Sequence, residues 1–206
     1  MNRATSIETT DDLWNAIVEA GLADRHLALM NFNWWPDSPW DVLTPYAKIA
    51  SNVAGRPEVI RPLIENPNWR FNLFGVAIAI LADAKPVLDS MVARMDRSWA
   101  APQIGAGVAI LLSGTSEDVR DSHLQKMLAI AMSPASDHEL KFVMSAYSSV
   151  RIVSRPHVAS FENDTAFREK WRAGASWYDM TRRHYERWGT VLPYLAKYVD
   201  QAANPV

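Results

Sequence analysis

A block of thirteen residues that returns thirty positions later constrains this chain more than any other feature. Trp69-Arg70-Phe71-Asn72-Leu73-Phe74-Gly75-Val76-Ala77-Ile78-Ala79-Ile80-Leu81 is answered by Trp99-Ala100-Ala101-Pro102-Gln103-Ile104-Gly105-Ala106-Gly107-Val108-Ala109-Ile110-Leu111. A duplication of this length is one supersecondary unit whose apolar face must be covered by its neighbour, so it speaks to architecture before chemistry. Both copies are apolar almost all round, whereas the segment between them carries Val87, Leu88, Met91, Val92 and Met95 as a single stripe. An amphipathic helix alternating with an all-apolar one is the pattern of stacked helix pairs whose inner member is covered on both sides.

Helix punctuation extends this pattern along the chain. Thr9 with Asp12 starts a helix that Gly21 stops, and Thr44-Pro45 opens one that ends at Gly55. Pro57 opens a helix through Glu65, Asn66-Pro67 opens the first repeat copy, and Lys85-Pro86 opens a helix through Met95. The second copy runs from Ser98 to Leu112. Thr115 with Asp118, and Ser136 with Glu139, are capping-box spacings that predict helices over 116–132 and 137–150. Asn163 is expected to cap a long helix to Trp188, with Gly189 ending it and a last helix over 192–202. Hairpin turns and apolar/polar alternation are almost absent. The expected fold is all-α, nine or ten helices in one domain spanning 1–206.

Charge and composition exclude several function classes. With no cysteine among 206 residues there is no disulfide, thiolate nucleophile or cysteine-ligated zinc. Acids outnumber bases nine to five over 1–66 and eight to seven over 67–150, while bases lead nine to six over 151–206. That gradient can steer a charged partner but is weak for a nucleic-acid binder. The longest apolar run, Val76 to Ala82, is far short of the roughly 20 residues of a bilayer span. Residues 1–12 are acidic and hydroxylic where a secretory signal is basic and then apolar, so a cytoplasmic protein is expected.

No Gly-x-Ser-x-Gly elbow, phosphate loop or dinucleotide fingerprint is present, and no catalytic residue or cofactor is expected. The five histidines, His26, His123, His138, His157 and His184, lack metal-ligand spacing; convergence of His123, His138 and His157 across helices is the one arrangement that would supply a metal site.

Two segments stand out as binding candidates. In residues 31–41, Trp34, Trp35 and Trp40 lie among two prolines, Asp37 and Asp41. Aromatics beside acids make interface hot spots, and the same loop could equally fold back as a lid on the end of the helix stack. Between 151 and 187, Arg151, Arg155, Arg182 and Arg183 form a second, oppositely charged patch, near a core-facing stripe of Trp171, Tyr178 and Tyr185.

The helix-pair alternation and the tryptophan-to-glycine blocks at Trp69 and Trp99 resemble the HEAT-like and armadillo-like α-solenoid families over about residues 57–150. The resemblance implies stacked antiparallel helical hairpins and a protein partner. Small bacterial proteins of this kind act as adaptors or as immunity proteins that neutralise a toxin by binding it. A DNA-binding or DNA-repair enzyme on the same scaffold, and a helical bundle holding a small molecule, are the competing expectations.

Overall fold

The computed structural model describes residues 7–25, 40–136, 139–159, 162 and 164–203, with side chains described for 7–24, 44–136, 139–159, 162 and 164–189. Within them lie nine α-helices and no strand. They are α1 (Thr10–Glu19), α2 (Trp40–Asn52), α3 (Pro57–Glu65), α4 (Trp69–Leu81), α5 (Leu88–Met95), α6 (Ala101–Leu112), α7 (Glu117–Met132), α8 (Leu140–Val153) and α9 (Thr165–Ala203). Short 3-10 turns at Lys85–Val87 and Arg155–Val158 join α4 to α5 and follow α8.

Local chemistry accounts for many of the boundaries. Thr9 Oγ1 accepts from the Asp12 amide at 3.1 Å while Asp12 Oδ2 accepts from the Thr9 amide at 2.9 Å, a reciprocal cap that starts α1. Gly21 and Gly55 take left-handed φ values of 68° and 77° just past α1 and α2, a region in which glycine carries no Cβ penalty. Asn68 Oδ1 accepts from the Arg70 amide at the start of α4.

Two boundaries differ from the sequence reading. α2 begins at Trp40, one turn before Thr44-Pro45, so Pro45 lies inside the helix and forfeits one backbone bond there. The expected break at Gly189 does not occur: α9 continues unbroken through Gly189 and Pro193 for 39 residues. Packing overrides both local breakers. Trp188, next to the glycine, is buried, and α9 touches four other helices along its length. The cap of α9 is Asp164, whose Oδ1 accepts from the Phe167 amide at 2.8 Å; Asn163 lies outside the described residues.

The helices neighbour one another in two rows. α1, α3, α5 and α7 touch in that order, as do α2, α4, α6 and α8, and each odd-numbered helix also packs on the even-numbered one that follows it. Short connections make α3 and α4, α5 and α6, and α7 and α8 antiparallel partners, whereas residues 20–39 separate α1 from α2. α9 then packs on α8, α6, α4 and α2, all four members of the second row. A helix of 39 residues is about 58 Å long, while four axes spaced 8–10 Å span about 30 Å, so one rod suffices.

This arrangement explains the all-apolar repeat. Every residue from Asn72 to Ile80 in α4 and from Ala101 to Ala109 in α6 is buried, because the odd-numbered row covers one side and α9 the other. The odd-numbered helices need only a stripe, such as Leu88, Met91, Val92 and Met95 in α5. Close approach within the stack falls on the repeat glycines. A Cβ on Gly107 would lie 2.6 Å from Val76 Cγ1 of α4 and 2.9 Å from Met91 Cε of α5.

Candidate functional site

α4, α6 and α8 start at one edge of the molecule, since each follows its partner through a short connection. A tryptophan marks two of these starts: Trp69 opens α4, and Trp99 stands two residues before α6. The third start, at α8, carries Lys141 and Phe142 instead. The thirty-residue echo therefore has a spatial meaning, placing equivalent aromatics on neighbouring units of one rim.

A buried amide fixes this rim. Asn72, wholly buried in the first turn of α4, donates from Nδ2 to the carbonyl oxygens of Leu63, Ile64 and Asn66, which are the open end of α3. Its Oδ1 accepts from Ser98 Oγ at 2.6 Å, and Ser98 Oγ accepts in turn from the Ala100 amide at 3.1 Å. Arg94 at the end of α5 donates to the Pro67 carbonyl at 2.9 Å and approaches Asn72 Oδ1 at 3.4 Å. The residues on either side of Trp99 are thus pinned to one hub, while Trp99 itself is 57% exposed.

Beneath the indole lies a charge. Lys141 is 2% exposed, and its ammonium sits 3.0 Å from the Trp99 ring centroid and 4.9 Å from that of Phe142. No hydrogen-bond acceptor meets its Nζ among the described residues. Attraction to the ring face supplies part of what water would give, but three N–H donors remain without directional acceptors. Burial accordingly pulls the ammonium below the ordinary lysine value.

In the window between that lowered value and the ordinary one, the unfolded chain holds more protons than the folded chain, so stability rises with pH there. Lys141→Met keeps most of the stem and deletes the charge. It is expected to raise the melting temperature at neutral pH by about 2–4 °C, the shift that roughly 1 kcal/mol produces in a chain of this size. The gap from the parent should close as pH climbs to the ordinary lysine value, which thermal melts followed by circular dichroism will measure.

The residues expected from the sequence to bind fall in three places. Trp34, Trp35 and Asp37 lie outside the described residues; Trp40 and Asp41 open α2, their side chains outside the described ones. Arg151 is engaged within the fold. Its Nη1 donates to Tyr178 Oη at 2.6 Å, its Nε pairs with Glu162 at 3.1 Å, and its guanidinium lies over the Trp171 and Tyr178 rings. Tyr147 closes this cluster by donating to Glu162 at 3.1 Å; burial first, then the Glu162 charge, drives its hydroxyl well above the ordinary tyrosine value. Arg155 and Arg183 are exposed, and Arg182 pairs with Asp179 and Glu186 of its own helix. The four arginines are thus spread over α8, the turn after it and α9.

His123 and His184 each turn Nδ1 to the carbonyl four residues earlier, and His157 turns Nδ1 to Ser154 Oγ. Among the described residues no group of three histidines or carboxylates is arranged to hold a metal ion, and no helix is long and apolar enough to cross a membrane.

Lys141 and Trp99 were not singled out by the sequence reading as binding residues. The echo of Trp69 at Trp99 was the available signal for the tryptophan; nothing in the sequence paired it with a lysine 42 positions on. No protein-family model, curated protein or solved structure matches the chain.

Proposed function

We propose that this chain is a non-catalytic protein-docking scaffold of the HEAT-like α-solenoid kind, and that it docks through the tryptophan rim rather than through the face of the even-numbered row. One observation carries the choice of surface: Trp99 projects from a backbone pinned on both sides, with a buried ammonium under its ring. A large aromatic offered on a rigid base loses little freedom on association, which is the property of an interface anchor. The face that stacked hairpins ordinarily present to partners is here covered by α9.

Two neighbouring rows, each helix touching the next of its row, support the stacked-hairpin reading. The resemblance to helical-repeat families suggests the sharper form, a bacterial, cytoplasmic immunity-type protein whose partner is a toxin neutralised by binding. The DNA-binding alternative has less support, because Arg182 meets two carboxylates on its own helix.

Photocrosslinking in the native cell tests the surface. p-Benzoylphenylalanine placed at position 99 is expected to capture one foreign protein species. The same group at position 119, an exposed valine at the opposite end of α7, is expected to capture none. Equal yields from both positions, or no product from 99, would rule the rim out.

A further inference from the structure

We propose that the rim captures a carboxylate of an acidic segment of the partner protein, the carboxylate accepting from Lys141 Nζ while the Trp99 indole turns aside and packs on the flank of the bound segment. This rests on the docking reading and adds the chemistry of the partner. Lys141 is almost wholly buried, carries three donors that meet no acceptor among the described residues, and is covered by a side chain that is itself more than half exposed.

A ring face offers an ammonium attraction without direction, whereas a carboxylate offers two oxygens that accept charged hydrogen bonds. The exchange therefore gives Lys141 what the fold withholds. Trp99 can make way because it precedes α6 in a turn and no helix-backbone bond has to break when its side chain rotates.

The surrounding charges favour the same partner. Arg70 lies over Trp69 at the start of α4, and Arg97 is exposed two residues before Trp99. Three acids described beside these starts already face groups of this chain: Glu65 accepts from Ser90 Oγ at 2.7 Å, Asp96 lies 3.3 Å from Arg97, and Glu139 accepts from the amide and hydroxyl of Ser136. The amino ends of α4, α6 and α8 add partial positive charge along one line.

Fluorescence anisotropy with a labelled hexaglutamate peptide tests the proposal, with hexaglutamine and hexalysine as controls. The intact protein is expected to bind hexaglutamate and neither control, more weakly as salt is raised. Lys141→Met is expected to weaken binding by on the order of tenfold without lowering the melting temperature, and Lys141→Arg to keep most of it. In the unsubstituted protein the Trp99 indole N–H resonance, assigned from its loss in Trp99→Phe, is expected to shift saturably with the same peptide.

Equal binding of hexaglutamate and hexaglutamine, undiminished binding by Lys141→Met, or a Trp99 resonance that stays still would each overturn the proposal. Crosslinking from position 99 together with no affinity for hexaglutamate would leave the rim as the docking surface and remove the acidic class of partner. Loss of both would remove the docking reading itself.

Discussion

Asn72→Asp is expected to lower the unfolding free energy by about 4 kcal/mol or more, a large share of the usual 5–15 kcal/mol. The substitution changes one atom type and almost no volume. The carbonyl oxygens of Leu63, Ile64 and Asn66 lose the two N–H donors they share, and each unmet acceptor in the interior, those of Leu63 and Ile64, costs about 1–3 kcal/mol. An ionised oxygen would stand where the amide nitrogen stood, facing those carbonyls. Arg94 and the Ser98 hydroxyl offset part of this on the other oxygen only. Asn72→Ala is expected to lose about 3 kcal/mol, since it leaves the same acceptors open and buries no charge. Urea unfolding followed by circular dichroism measures both. A loss under about 1 kcal/mol in either variant would mean that water reaches the end of α3.

The second large effect is expected at Gly75. In a solvated helix, glycine to alanine stabilises by about 1 kcal/mol. Here a Cβ would stand 2.8 Å from Ile64 Cγ1, 2.9 Å from the Ile64 backbone nitrogen and 3.1 Å from Leu63 Cβ. Backbone cannot rotate out of the way, so α3 and α4 must separate. Gly75→Ala is expected to destabilise by about 2 kcal/mol net, in the range of overpacked cores. Gly189→Ala is its control: nothing lies within 4 Å of that site, and the propensity gain should emerge there as a small rise in stability. If the two variants shift the urea midpoint alike, the close approach of α3 and α4 does not govern Gly75.

What was legible in the sequence follows from the range of the interactions involved. Thr9 with Asp12, Gly21, Gly55 and Pro57 act over a few residues, and the boundaries they predict are met to within three positions. The continuous apolar character of 72–80 and 101–109 correctly foretold helices covered on both sides. The element that supplies one of those covers is not legible there. Gly189 and Pro193 are local stop signals, and only the burial of Trp188 and the packing of α9 on the even-numbered row explain why the helix runs through them.

The site was less legible for the same reason. Trp99 is one of nine tryptophans and Lys141 an ordinary residue in an apolar run. Their meeting depends on the turn before α6 and the start of α8 coming together, which no spacing encodes. Arg151 stood out for its charge, yet its partners Glu162, Trp171 and Tyr178 turn that charge inward.

The long closing helix has a thermodynamic consequence. In an array where each unit meets only its neighbours, units can melt one at a time from the ends, and the free energy is a sum over nearest pairs. α9 ties residues past 165 to α2, more than a hundred positions earlier, and to every even-numbered helix between. Fraying at either end therefore strips cover from the middle. The helices are therefore expected to melt as one all-or-none unit, and those distant pairings to slow its assembly relative to a chain of local contacts alone.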